Sequence, residues 1–332
     1  MPLPSNAAIS LNAMHVEAGG SSGTLCSIND ADIRALISKA SAVQMSFNQW
    51  YGASSSVSLD FRIYGGRGAT NTAGSYNAQS GRGYGGYTRC QLSVPGGTQF
   101  QLYSGGRGTD VPSNGGRIDY GAPGGGASVV RWTSGSVILG IAGGGGGAGG
   151  EGYTFGDPTD GRGGNGGGGN SGGNTAVGNN SVYIGGGGGG GSGGTGGSGG
   201  ASTRGNPGSA GTSAAGGSGK TPLTTYAYGA NSLGYNGGYG GYGAPRGDGF
   251  GGGGGGGYGG GGGGGANAGG GGGGGGGGYG RTSAYSSSST VTVTGSNGSR
   301  NGTGYIYIYI GSTLVKNVTS SGSSANSGTY TA

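Results

Sequence analysis

The sequence predicts a mainly β protein: a jelly-roll-like β-sandwich fused to a packed bundle of polyglycine type II helices, with a small N-terminal module containing one short helix. Three observations predict it. Glycine supplies 104 of the 332 residues, in unbroken runs such as Gly251 to Gly257. Short strand signals lie on both sides of the glycine-rich stretch. Only 8 % of residues are charged, too few to keep so long a chain solvated as a disordered polymer. Collagen is excluded, because there are only 9 prolines and no strict Gly-X-Y period.

Residues 1–52 hold the sole histidine, His15, and a triplet that occurs three times: Ser10-Leu11-Asn12, Ser27-Ile28-Asn29 and Ser46-Phe47-Asn48. Each is followed by a large apolar residue, Met14, Ile33 or Trp50. The middle copy leads into a helix signal. Asn29 or Asp30 caps it, Asp32 lies in its first turn, and Ile33, Leu36 and Ile37 share a face. A module this small has little core of its own and is expected to dock on a partner.

Residues 53–142 read as the first half of a sandwich. Val57, Leu59, Phe61 and Ile63 alternate with polar residues. Further strands are expected at Tyr87 to Val94, Thr98 to Tyr103, Ser128 to Trp132 and Ser136 to Ile141. Residues 143–280 are glycine runs alternating with richer inserts, near 151–162, 174–184, 201–235 and 242–250. Val182-Tyr183-Ile184 reads as a strand between runs. Closing strands follow in 281–311: Thr290 to Thr294, then Tyr305 to Ile310, where Tyr and Ile alternate. Residues 312–332 read as a polar, loose tail.

The glycine runs need a physical account. They form no stable α-helix in water, because glycine loses too much backbone entropy. They can adopt the left-handed three-residue helix, rising about 3.1 Å per residue, which makes no internal hydrogen bonds. Neighbouring helices of this kind exchange N–H···O=C bonds at close range. Ordering a residue costs about 1–2 kcal/mol and a hydrogen bond returns about 0.5–1.5 kcal/mol, so only a lattice with many neighbours per run prevails. A side chain inside a run would strike the next run, which accounts for their purity. Tyr258 and Tyr279 belong at run ends or on the outside.

Other chemistry is thinly represented. Gly-x-Gly-x-x-Gly matches arise by chance at this composition and lack a strand–helix context. Arg246-Gly247-Asp248 reads as a chance tripeptide. Arg67, Arg82, Arg89 and Arg107 beside Gly and Tyr suggest RNA binding only weakly, since they fall between strands. One histidine supports no Ser/His/Asp set, and Glu151, Asp157 and Asp160 read as turn formers. Cys26 and Cys90 have no disulfide framework and read as buried free thiols of a reducing compartment. No signal peptide and no apolar span of membrane length is visible. The net charge of +6, from 16 basic and 10 acidic residues, is a mild bias. The expectation is no enzyme, no cofactor, no metal, no nucleic-acid partner and no membrane insertion.

Several strings carry a resemblance. Ile63-Tyr64-Gly65-Gly66-Arg67-Gly68 is followed by Phe100-Gln101-Leu102-Tyr103-Ser104-Gly105-Gly106-Arg107-Gly108. Then come Gly124-Gly125-Gly126-Ala127-Ser128-Val129-Val130 and Val137-Ile138-Leu139-Gly140-Ile141-Ala142, which opens into polyglycine. Over roughly 57–311 the chain resembles the glycine-rich domains of bacteriophage tail-fibre proteins and, distantly, that of the anaplastic lymphoma kinase receptor ectodomain. The resemblance implies a β-sandwich joined to a polyglycine-helix bundle. In tail-tip adhesins of T-even-like phages such a bundle presents loops to a host receptor. Residues 1–52 do not match the attachment region of those adhesins. The segment Met45-Ser46-Phe47-Asn48-Gln49-Trp50-Tyr51-Gly52 instead resembles N-terminal segments of many phage structural proteins.

The implied function is a tail-fibre or tail-tip adhesin, made in the host cytoplasm and located in the virion. Residues 1–52 would attach to other virion proteins, with Leu11, Met14, Ile33, Leu36, Phe47 and Trp50 as the candidate contacts. Receptor binding, to an outer-membrane protein or glycan, would use Tyr153, Phe155, Tyr226, Tyr228, Tyr235 and Phe250. The insert 201–235 is the longest, which favours Tyr226 and Tyr228. A homo-oligomer is compatible. The alternatives are a purely structural virion component and a Gly/Tyr/Arg-rich RNA-binding protein.

Overall fold

The computed structural model describes residues 3–37, 39–40, 43–53, 55–72, 81–112, 122–133, 137–149, 163–171, 173–174, 254–258, 261, 273–283 and 291–332. These residues are mainly β. Two five-stranded antiparallel sheets pack face to face. The first has the order β11-β10-β1-β3-β9, from β1 (Ser56–Tyr64), β3 (Gly85–Pro95), β9 (Thr292–Arg300), β10 (Tyr305–Ile310) and β11 (Thr313–Thr319). The second has the order β12-β4-β6-β7-β8, from β4 (Gln99–Ser104), β6 (Ser128–Trp132), β7 (Ile138–Ala142), β8 (Tyr279–Gly280) and β12 (Asn326–Thr331). A parallel pair of two-residue strands, β2 (Asn71–Thr72) and β5 (Val111–Pro112), lies apart from them.

Alternation builds the core. Leu59, Phe61 and Ile63 of β1 point inward beside Cys90, Leu92 and Val94 of β3 and Ile306 and Ile308 of β10. Across from them stand Phe100, Leu102, Val130, Trp132 and Leu139. Phe61 and Phe100 meet between the sheets with centroids 4.9 Å apart. Gly140 is required by the close approach of the sheets there. A Cβ on it would lie 2.8 Å from both Cys90 Sγ and Ile63 Cδ1.

Two expectations are corrected. The segment 312–332 is not loose. Strand β11 pairs with β10, and β12 crosses to the other sheet to pair with β4 from Asn326↔Ser104 to Thr331↔Gln99. Few of its residues are apolar, and backbone pairing holds it in place. The N-terminal module contains two short α-helices and a 3-10 turn rather than one helix: α1 (Leu11–Glu17), α2 (Ala31–Ala35) and Phe47–Trp50. The Ser-apolar-Asn triplets mark their starts. Ser10 Oγ accepts the Ala13 amide at 3.0 Å. Ser27 N donates to Asp30 Oδ2 at 2.7 Å, just before α2. Ser46 and Gln49 form a reciprocal capping box.

The glycine segments leave one end of the sandwich. Residues 65–69 follow β1, 81–84 precede β3, 105–108 follow β4, 122–127 precede β6, 143–149 follow β7 and 273–278 precede β8. Their backbone hydrogen bonds have a period of three. Gly143 and Gly146 donate to Gly167 and Gly164, at 2.9 and 2.8 Å. Gly144 donates to Gly256 at 2.7 Å, and Gly145 and Ala148 donate to Gly66 and Ala69. The carbonyls rotate the same way. Gly143 and Gly146 accept from Gly86 and Gly83, Gly144 and Gly147 from Gly276 and Gly273, and Gly145 and Ala148 from Gly125 and Ala122. The segment 143–148 is thus bonded to three neighbours as donor and three others as acceptor, and residues 143–149 are buried. A Cβ on Gly143, Gly144, Gly145, Gly146 or Gly147 would collide with the carbonyl oxygen of Gly276, Gly125, Gly83, Gly273 or Ala122 respectively. Methyl groups are admitted where Ala69, Ala122 and Ala148 cluster together.

The N-terminal module lies at the opposite end of the sandwich. Glu17 Oε1 accepts from Ser55 N at 2.9 Å, and Ser55 O accepts from Gly96 N at 2.7 Å in the turn between β3 and β4. Strand β1 runs between the two ends, about 30 Å at its ordinary rise.

Candidate functional site

The residues expected to bind a receptor, Tyr153, Phe155, Tyr226, Tyr228, Tyr235 and Phe250, lie outside the described residues. So do Val182-Tyr183-Ile184, Glu151, Asp157, Asp160 and Arg246-Gly247-Asp248. Of the attachment candidates, Met14, Ile33 and Trp50 are wholly buried in the core of the module, with Leu3. Leu11 and Leu36 pack against that core. Trp50 Nε1 donates to Ile33 O at 3.1 Å. Met14, Ile33 and Trp50 build the module and present no surface, whereas Leu11 and Leu36 are half-buried. Phe47 is 48 % exposed, as is much of nearby Tyr51, so the 3-10 turn carries exposed apolar surface. His15 Nε2 lies 2.8 Å from Thr24 Oγ1 and has a local structural role.

The richest chemistry is on the outer face of the first sheet, which sequence reasoning missed. The signal was the other half of the alternation. Where Leu59, Phe61 and Ile63 face in, Asp60, Arg62 and Tyr64 face out. Where Ile306 and Ile308 face in, Tyr305, Tyr307 and Tyr309 face out. Pairing in register sets Tyr64 between Tyr87 and Tyr305, and Arg62 between Arg89 and Tyr307. Tyr64 stacks on Tyr305 with centroids 4.3 Å apart and lies 4.6 Å from Tyr87. Tyr305 and Tyr307 are 4.5 Å apart. The Arg62 guanidinium sits 4.3 Å over the Tyr309 ring.

Asp60 organises the two arginines. Arg89 Nε and Nη2 donate to its two oxygens at 2.9 Å each, and Arg62 Nε and Nη2 both donate to Oδ2 at 3.2 Å. Burial raises the Asp60 carboxyl, but the arginine hydrogen bonds and charges together outweigh it and hold the group below its ordinary value. Arg89 is raised, first by its hydrogen bond to Asp60. An open depression of about 390 Å³ lies beside this cluster, lined by Ser58, Asp60, Arg62, Arg89, Gln91 and Thr292 among others.

Part of the outer face of the second sheet contrasts with it. Tyr258 and Tyr279, stacked at 4.5 Å, pack on Ala127, Val129 and Ile141 and cover that apolar surface. Of the four arginines read as RNA-binding candidates, two are otherwise occupied: Arg67 is buried against Asp110, and Arg89 holds Asp60, while Arg107 is exposed and Arg82 half-buried. Among the described residues, no three His, Cys, Asp or Glu side chains group to hold a metal, and no helix is long and apolar enough to cross a membrane.

Both cysteines are free, Cys26 half-buried and Cys90 buried. Burial pushes the Cys90 thiol up to about 12. A disulfide reagent at about pH 8 should therefore label Cys26 in the native protein and Cys90 only after unfolding. Labelling of both thiols at one rate in the native state would contradict this burial.

A scan against protein-family models finds no match to this chain, and a search of the curated proteins finds no matching sequence.

Proposed function

We propose that the glycine segments are polyglycine type II helices packed into a bundle on a jelly-roll-like sandwich, and that this bundle is a rigid scaffold for display loops in a phage tail-fibre or tail-tip adhesin. The observation that carries this reading is the rotation of hydrogen-bond partners every third residue along 143–148, with six neighbouring segments engaged. A three-residue helix turns its N–H and C=O groups outward in this way. The segments run in both directions, as a folded-back bundle requires. Gly143 and Gly146 meet Gly167 and Gly164 antiparallel, while Gly145 and Ala148 meet Gly66 and Ala69 parallel.

The polarity of the molecule supports the same reading. The N-terminal module and the glycine segments occupy opposite ends of the sandwich, so one end can attach to the virion while the other faces outward. The inserts between glycine runs then become the receptor-binding surface, and loops on rigid supports are where recognition residues concentrate. In this reading the chain has no catalytic role and needs no cofactor.

The test is removal of residues 201–235 from the chain in its virion. Intact particles that no longer adsorb to host cells are the expected result. Normal adsorption would identify a purely structural virion component instead. Rapid hydrogen exchange across the described glycine segments would remove the scaffold itself and leave the RNA-binding alternative.

A further inference from the structure

We infer that the outer face of the first sheet is a binding site for an acidic saccharide, separate from the display loops and independent of the proposal above. The face is polar and aromatic across β10, β1, β3 and β9, with Leu314 at its β11 edge. In register across the sheet stand Asn317, Tyr307, Arg62, Arg89 and Thr294, and in the adjacent row Leu314, Tyr309, Asp60, Gln91 and Thr292. Sheet alternation does not demand such residues. The second sheet's outer face is divided: Ala127, Val129 and Ile141 are small or aliphatic and covered, while Gln101, Tyr103 and Arg131 form a polar cluster without an acidic residue.

Charge selects the ligand. Two guanidiniums converge on one carboxylate, leaving a local surplus of one positive charge. Both arginines spend their Nε and Nη2 edges on Asp60. Their Nη1 groups make no hydrogen bond among the described residues, and both arginines line the depression. A second carboxylate, supplied by a ligand, would complete the arrangement with charge-assisted bonds. Around it lie hydroxyl and amide groups from Ser58, Gln91 and Thr292, which suit the vicinal hydroxyls of a sugar ring. The depression of about 390 Å³ falls within the ~300–1,000 Å³ of small-ligand sites.

A single-stranded nucleic acid fits less well. It needs a track of cations and open ring faces for stacking bases. Here the surplus charge is one, and the Tyr64, Tyr305 and Tyr307 rings are already stacked on neighbours.

The test is calorimetric titration of the full chain with trigalacturonic acid and 3′-sialyllactose, and with lactose, acetate and oligouridylate as comparisons. Binding of at least one acidic saccharide, with lactose and acetate far weaker, is expected. Arg62→Ala should weaken it about tenfold or more, and Arg62→Lys less, because the charge remains but the planar fork does not. Arg62 is 37 % exposed, so both variants should keep the wild-type thermal midpoint; if Arg62→Ala lowers it, the lysine variant carries the comparison. No heat with either acidic saccharide at millimolar concentration would overturn the inference. So would acetate binding as well as the saccharides, indifference to both Arg62 variants, or tighter binding of oligouridylate.

Discussion

Gly146→Ala should destabilise the protein by about 3 kcal/mol or more, lowering the thermal midpoint by roughly 6 °C or more in calorimetry. The new methyl would be driven into Gly273 O, with Gly274 O at 2.9 Å beyond it. Both are backbone atoms, and no rotamer change can clear the space. Gly273 is itself fixed. Its carbonyl accepts from Gly164 N and its amide donates to Gly147 O, each at 2.8 Å. Displacing it breaks bonds to two other segments, so the strain spreads through the layer. Ala148→Gly is the matched comparison, two residues along. It removes a methyl from the Ala69, Ala122 and Ala148 cluster and should cost ~1 kcal/mol. If Gly146→Ala unfolds at the wild-type temperature, these segments are not packed backbone to backbone, and the scaffold reading fails with them.

The β-sandwich was largely legible in the sequence, for a reason visible in particular strands. Ser128–Trp132 and Tyr305–Ile310 were read to the residue because each has apolar side chains facing the core and a glycine break at its start or end. Legibility fell where pairing rather than burial holds the strand. Strand β9 was expected at Thr290 to Thr294 but runs over Thr292–Arg300, continuing through Gly295 and Ser296 on hydrogen bonds to β3. Strands β11 and β12 are edge strands that add little more than Val318 and Tyr330 to the core, so their polar sequences looked like a tail.

The glycine segments were legible as a class and not as an arrangement. A run without side chains carries no mark of which neighbour it bonds or in which direction. Register is set instead by the strands from which the runs emerge. The polar sheet face was hidden for a different reason. Residues 60, 62 and 64 read as the solvent half of a strand. Their proximity to Arg89 and Tyr309 depends on pairings between residues 29 and more than 200 positions apart. The buried attachment candidates show the converse. Met14, Ile33 and Trp50 were prominent because they are large and apolar, and that same property takes them into the core of the module.

Arg67→Ala should cost about 3 kcal/mol at neutral pH and change how stability depends on pH. The Arg67 side chain is 6 % exposed and Asp110 is 29 % exposed. Arg67 Nη1 and Nη2 donate to the two Asp110 oxygens at 2.9 and 2.7 Å, and Nη1 also donates to Gly68 O at 2.9 Å. Thr70 N and Oγ1 complete the shell of Asp110 Oδ1. The Arg67 hydrogen bond first, and then the Thr70 amide against the opposing effect of burial, hold the Asp110 carboxyl well below the usual carboxylate range. The folded protein therefore binds fewer protons at this group than the unfolded chain does. Its contribution is fully present above the unfolded value of about 3.9 and is lost as pH falls below that toward the folded value. Without Arg67 that contribution shrinks. The variant should be much less stable than wild type at pH 7, and the two should converge as pH falls below about 4. Asp60 is lowered in both proteins and cancels from the difference. Unfolding titrations at several pH values measure it directly, and acid limbs that run parallel would show that the pair contributes nothing. The location of the pair raises its consequence. Arg67 stands in the glycine segment that follows β1 of one sheet, and Asp110 just past the segment that follows β4 of the other, beside β5. The bond between them ties the two segments together beyond the strand ends, so the loss should loosen that layer before it reaches the apolar core.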